Sequence, residues 1–169
     1  KRAIQEAQKL AKQTGGFLAN QFANTDNILA HYETTGQEIV NSLPEEVGGF
    51  VSGIGTGGTL IGIGKKLNKQ NKDITITAIE PDKMPLISKN KIITSHKIEG
   101  IGDDFIPALV DKNMIDKVFL VNDEDSINMT RKLSKSLGIG VGISSGANLI
   151  GCILLQQNIK KPVVTVFAD

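Results

Sequence analysis

Short apolar runs alternate with amphipathic segments along the whole of this 169-residue chain. Residues 1–13 set Ile4, Ala7 and Ala11 at helical spacing, and the pair Gly15-Gly16 ends the segment. Ile28, Leu29, Tyr32 and Ile39 predict a helix over 27–42, interrupted near Gly36. The runs "VGGFV" (47–51) and "ITITAI" (74–79) read as strands, with a glycine-rich turn and a helix around Leu60 and Leu67 between them. From Pro81 to Lys112 no period persists. "KVFLV" (117–121) is the next strand. The helix predicted over 123–137 carries Met129, Leu133 and Leu137 on one face, opens on acidic residues and stops at Gly138. A last helix, about 146–157, leads into the strand "PVVTVF" (162–167). Strands alternating with helices predict an α/β fold: a three-layer αβα arrangement around a mainly parallel, doubly wound sheet.

Composition narrows the setting. A chain with 40% hydrophobic residues can bury a core as one domain. The net charge of +1 offers no electrostatic reason for a nucleic-acid or anionic-membrane partner. The single cysteine, Cys152, has no companion for a disulfide or a metal site, so a cytoplasmic location and no metal are expected. It lies in the apolar stretch "NLIGCILL" and reads as a small core residue. The start "KRAIQEAQKL" lacks the pattern of a secretory signal. The chain stops two residues after "VVTVF", which reads as a piece of a longer protein.

The stretch "SGIGTGGTLIGIG" (52–64) crowds glycine at the end of a strand, where each one costs about 0.5–1 kcal/mol relative to alanine. Three readings compete. Gly53, Gly55 and Gly58 satisfy G-x-G-x-x-G, and Glu80 closes the next strand where a ribose-binding acid would sit. That reading is an NAD(P)-binding Rossmann oxidoreductase domain. Alternatively "GTGGT" (55–59) offers consecutive N–H groups and two hydroxyls at a helix N-terminus, which suits one phosphate monoester. The third reading is a turn needed only for packing. No G-K-[ST] closes the loop, so it is not a Walker loop.

Three further stretches separate these readings: "NQFANTDNILAHYETTGQEI" (20–39), "HKIEGIGDDFIP" (96–107) and "GVGISSGAN" (140–148). With the glycine loop, and in this order, they resemble the fold-type II pyridoxal-phosphate enzymes of the cysteine synthase (O-acetylserine sulfhydrylase) and cystathionine β-synthase family. The resemblance runs from about Gln21 to Asp169. It implies pyridoxal 5'-phosphate as cofactor. Gly55, Thr56, Gly57, Gly58 and Thr59 would hold its phosphate, and Ser144 would face the pyridine nitrogen. Gln21 would help bind the substrate carboxylate, and Gly100, on a mobile segment at the mouth, would contact cofactor and substrate. Without the resemblance, the favoured reading of Ser144 and Ser145 is as caps of the following helix. His31 and His96 lack ligand-spaced partners and are assigned to neither catalysis nor metal.

The chain also departs from the family pattern. Asn24-Thr25 and Asn27-Ile28 stand where the family commonly has asparagine-proline. Glu99 and Asp104 lean toward the cystathionine β-synthase side. The family's Schiff-base lysine lies N-terminal to everything here, and neither Lys65, Lys66 nor Lys97 sits where it would replace it. The expectation is therefore residues 1–15 as a helix and crossover from a missing N-terminal domain. Residues 16–169 would be the cofactor-binding α/β domain, incomplete at both ends. The parent protein, a homodimer, would make L-cysteine from O-acetylserine or a similar activated serine and sulfide. Alternatives are cystathionine β-synthase chemistry with homocysteine, and cysteine desulfhydrase chemistry. The partner is a small amino-acid substrate.

Overall fold

The computed structural model describes residues 2–168; Lys1 and Asp169, the first residue of the predicted helix and the last of the predicted domain, lie outside the described residues. In chain order the elements are α1 (Arg2–Thr14), α2 (Asp26–Glu33), α3 (Thr35–Ser42), β1 (Gly49–Gly53), α4 (Gly58–Gln70), β2 (Thr75–Pro81), α5 (Leu86–Lys89), β3 (Lys117–Val121), α6 (Asp123–Leu137), α7 (Ile143–Gln156) and β4 (Val163–Thr165). A single 3-10 turn at Lys112–Met114 precedes β3.

The strands form one parallel sheet in the order β3-β2-β1-β4, with Val51 opposite Thr77, Ala78 opposite Val118 and Phe50 opposite Val164. Successive residues point to opposite faces of a strand. Phe50, Ile76, Ala78, Val118 and Val164 meet Leu60, Ile63 and Leu67 of α4 on one face. Val51, Ile79, Val121 and Val163 meet Ala147, Ile150 and Leu155 of α7 on the other. Both faces of β1 are thus covered, which is why its sequence is a continuous apolar run. Phe50, Leu60 and Ile63 are completely buried, and each such side chain contributes about 1.5–3 kcal/mol of burial. This is the three-layer αβα fold expected.

The winding positions a crevice. The chain steps outward from β1 through α4 to β2 and β3, then returns through α7 to place β4 on the other side of β1. The direction reverses between β1 and β4. Open α/β sheets take ligands outside the carboxyl ends of the strands at such a reversal. The loop leaving β1 there is the glycine-rich one.

Helix α2 lies directly on α4. A Cβ added to Gly62 would fall 2.5 Å from the Ile28 carbonyl oxygen and 2.8 Å from His31 Cβ. The close approach explains a glycine in the middle of a helix.

Several boundaries differ from expectation. The break in 27–42 falls at Thr34 (φ −102°, ψ −85°), while Gly36 is buried inside α3 against the Lys66 side chain. Helix α7 starts at Ile143, three residues before the expected 146. Ser144 and Ser145 are weak helix formers that read as a loop in isolation; α6 packs over this turn and Thr130 Oγ1 donates to the Gly142 carbonyl at 3.1 Å. Leu137, expected on the buried face of α6, is 66% exposed, because α7 is met by Ser126 and Thr130 further up the helix. The passage 81–112 holds the one-turn helix α5. No helix among the described residues is long and apolar enough to cross a membrane.

Candidate functional site

Loop 54–57 joins β1 to α4 and turns on Gly57, whose φ of 92° is left-handed and puts it at the N-cap of α4. A Cβ there would also lie 2.7 Å from Val110 Cγ2. The N-cap Gly57 has no side chain to cap the helix, and Gly58 N–H turns to Thr56 Oγ1 at 3.3 Å, so the next N–H groups of α4 are left for an external acceptor. With the helix dipole behind them they favour an anion. The predicted residues Gly55, Thr56, Gly57, Gly58 and Thr59 are all brought together here.

Helix α2 braces the loop with residues the sequence did not single out for it. Asn27 Nδ2 donates to Thr56 Oγ1 at 2.9 Å and to the Gln21 carbonyl at 3.0 Å. One turn along the same face, His31 Nε2 lies 3.1 Å from Thr59 Oγ1, and its Nδ1 lies 3.2 Å from Thr35 Oγ1. Burial pushes the imidazole of His31 below its ordinary value, so it is neutral at neutral pH. The spacing 27, 31, 35 is an i, i+4, i+8 polar stripe on the helical stretch, and that is the signal that could have revealed it.

The segment 96–102 covers the other side. Gly102 N–H donates to the Ile54 carbonyl at 2.9 Å, and a Cβ on Gly55 would collide with the Gly100 carbonyl oxygen. Ile98 and Ile101 are buried in the α7-side core. His96 accepts from Ile98 N–H at Nδ1 (3.2 Å), so its Nε2 carries the proton donated to the Gly102 carbonyl at 2.9 Å. At the start of the segment, Asp123 Oδ1 accepts from Lys97 N–H at 2.9 Å and Oδ2 from Lys83 Nζ at 2.7 Å. Burial acts against the charge of Asp123, but these bonds win and hold its carboxyl below the usual range. The expected mobile mouth is therefore anchored along its length, leaving the tip Glu99-Gly100 exposed. Phe22, next to Gln21, stacks edge-on against Phe105 with ring centres 5.1 Å apart, closing the ring of segments.

Asn148 of α7 spans the crevice itself. Its Oδ1 accepts from Gly53 N–H at 2.7 Å and its Nδ2 donates to the Val166 carbonyl at 2.9 Å. One amide thus ties together the ends of β1 and the chain leaving β4. Ser144 lies one turn earlier on the same face of α7. Its hydroxyl has no protein partner among the described residues, and the N-cap of α7 is Gly142, without a side-chain cap bond. Ser144 is not the helix cap. Gln21 is exposed in the turn before α2, with only its carbonyl engaged.

Glu80 does not serve a ribose. Its carboxylate accepts from Ile87 N–H, Ser88 N–H and Ser88 Oγ, and it is buried beneath α5. The dinucleotide reading loses its acid. The lysines stand apart as well: Lys65 and Lys97 are exposed, and Lys66 Nζ sits 4.9 Å from the centre of the Tyr32 ring. Cys152 is half-buried, its thiol pushed up by burial. No group of three or more metal-ligating side chains occurs among the described residues.

The fold recurs in known proteins. A family model described as "Pyridoxal-phosphate dependent enzyme" matches residues 1–169. The chain is 41% identical to cysteine synthase B of Campylobacter jejuni, over 100% of this chain and 56% of that protein. It superposes with a TM-score of 0.93 and 45% identity on a hydrogen sulfide-producing enzyme from Fusobacterium nucleatum, covering 98% of this chain and 51% of that one. An O-acetylserine dependent cystathionine beta-synthase from Helicobacter pylori matches with a TM-score of 0.89 and 36% identity, over 98% and 54%. The chain spans about half the length of these relatives.

Proposed function

The chain belongs to the pyridoxal-phosphate dependent enzyme family, and from that premise we propose that the protein it forms exchanges the β-substituent of an activated serine for a sulfur nucleophile. With O-acetylserine and sulfide the product is L-cysteine. A Cβ–O bond breaks, a Cβ–S bond forms, acetate leaves, and the α-proton is removed and returned, with no net oxidation.

The observation that carries the reading is the loop over Gly55–Thr59. It offers the N–H groups that follow Gly58 at the start of α4, a left-handed Gly57 that a side chain would fill, and no cationic side chain. That donor set fits a phosphate monoester. When bound, pyridoxal phosphate supplies an electron-withdrawing ring that lowers the cost of removing the substrate's α-proton. The residues of this chain do the rest by position. Gly55, Thr56, Gly57, Gly58 and Thr59 hold the phosphate, with Thr59 steadied by the neutral His31. Ser144 offers an uncharged hydroxyl to the ring nitrogen and so leaves it unprotonated. Gln21 turns its free amide to the substrate carboxylate. Gly100 brings backbone to the reacting end, and the Phe22–Phe105 pair shuts out water. The base that takes the α-proton would be the family's Schiff-base lysine and not Lys65 or Lys97, which are exposed, nor Lys66, whose Nζ sits over the Tyr32 ring.

The test is product analysis in the full-length protein supplied with O-acetylserine plus sulfide, O-acetylserine plus homocysteine, and cysteine alone. Cysteine from the first mixture as the fastest reaction supports the proposal; no turnover of activated serine with either acceptor removes it. A second reading, release of sulfide from cysteine by the same α-proton chemistry run on a different donor, is favoured by the 45% identity to the sulfide-producing enzyme of Fusobacterium nucleatum. Faster turnover of cysteine than of O-acetylserine would select it.

A further inference from the structure

We propose that Asn27 sets the polarity of the phosphate cup by forcing the Thr56 hydroxyl to donate outward, toward the bound phosphate. The inference rests on reading residues 55–59 as that cup.

The argument is a count of donors and acceptors. Asn27 Nδ2 reaches both the Gln21 carbonyl, at 3.0 Å, and Thr56 Oγ1, at 2.9 Å. A carbonyl only accepts, so the amide must present its NH₂ on this side and cannot flip. Its two protons are then committed, one to each partner. Thr56 Oγ1 receives a second donor, the N–H of Gly58, at 3.3 Å. A hydroxyl oxygen has two acceptor positions and one proton. Both acceptor positions are filled by groups that cannot accept in return, so the Thr56 proton must go to a third partner. No protein acceptor takes it among the described residues, and Thr56 is only half-buried. An anion beside the N–H groups of α4 completes the set. Gly58 leaves the room this needs: the amide Oδ1 occupies the place where a Cβ on Gly58 would stand.

Asn27 acts through Thr56 and is a positioning residue. The same amide holds the carbonyl of Gln21, so the turn that carries the substrate-carboxylate group and the grip on the phosphate share one side chain.

The experiment compares pyridoxal phosphate with pyridoxal, which lacks the phosphate, in the full-length protein. Affinities are measured by fluorescence titration for Asn27→Ala, Asn27→Asp, Thr56→Ala and the Asn27→Ala/Thr56→Ala double variant. The phosphorus NMR shift of the bound cofactor is the second readout. Asn27→Ala and Thr56→Ala should each weaken pyridoxal phosphate roughly tenfold, leave pyridoxal within about twofold, and move the phosphorus resonance. The double variant should be no weaker than Thr56→Ala alone, since both act on one bond. Asn27→Asp should be worse than Asn27→Ala, because its carboxylate draws the Thr56 proton inward and adds negative charge beside the phosphate. Additive losses, or equal weakening of pyridoxal and pyridoxal phosphate, would make Asn27 a fold brace and overturn the proposal. A wild-type protein that binds the two ligands equally would remove the cup itself, and the proposal with it.

Discussion

Replacing Asn148 should test whether the crevice is held together where the winding of the sheet reverses. The side chain is 4% exposed and makes two hydrogen bonds, from Gly53 N–H at 2.7 Å and to the Val166 carbonyl at 2.9 Å. Leucine has nearly the same volume but offers neither. Two bonds at about 1 kcal/mol each are lost, and leaving their partners unsatisfied near the core raises the cost to about 1–3 kcal/mol apiece. Extra apolar burial by leucine returns roughly 1 kcal/mol. The net loss for Asn148→Leu is about 1–5 kcal/mol in urea unfolding. Asn148→Asp separates the two bonds. Its Oδ1 can still accept from Gly53, but at neutral pH an ionised oxygen faces the Val166 carbonyl, so the variant should be at least as unstable as the leucine one. Protonation converts that oxygen to a donor and restores the pattern. The folded state therefore holds this proton at higher pH than the unfolded chain does. The deficit of Asn148→Asp should shrink as pH falls toward about 4, while that of Asn148→Leu stays constant. A loss below about 0.5 kcal/mol for Asn148→Leu, the range of an ordinary surface change, would refute the reasoning.

Gly57→Asp should abolish retention of pyridoxal phosphate, read from its visible absorbance, because a side chain at φ 92° meets Val110 and sets a carboxylate in the cup. Ser144→Ala should leave the melting temperature within about 1–2 °C, since Gly142 and not Ser144 starts α7. A loss the size of a missing cap, about 1 kcal/mol, would contradict this. Ser144→Asp should instead change the cofactor's absorbance spectrum by protonating the ring nitrogen, and an unchanged spectrum would move Ser144 out of the ring contact. Burial, and then the charge of Asp104, raise the carboxyl of Asp103 above its ordinary value. The folded state binds that proton more tightly, so stability is lost as pH rises through the folded value; Asp103→Asn should stabilise the protein at pH 7, with the gain vanishing below about pH 4.

The architecture was legible because β1, β2 and β3 are buried enough to read as apolar runs, and because Gly138 and the acids at Asp123–Asp125 mark both ends of α6. The glycine loop reads as a candidate anion site for a local reason: its N–H groups belong to consecutive residues. What holds that loop was not local. Asn27 and His31 are ordinary polar residues of α2 until α4 is laid against them, about 28 residues on. Asn148 and Gly53 are separated by 95 positions. The role of Glu80 was hidden for the same reason: nothing in "ITITAIE" shows that the N–H of Ile87, seven residues later in a one-turn helix, will take up its carboxylate. The serines of α7 were hidden by propensity, since Ser144 and Ser145 become helical only under α6.

Gly62 gives α2 and α4 a shared fate. With the Ile28 carbonyl and the Tyr32 amide pressed against the place of its missing Cβ, neither helix can shift alone, and local opening of one exposes the other. Amide hydrogens of the two helices should then exchange with solvent at a common rate, as one cooperative unit. The grip of Thr56 and Thr59 depends on α2, and the grip of the helix N-terminus on α4. The site therefore has no half-loosened state; it is assembled or it is gone.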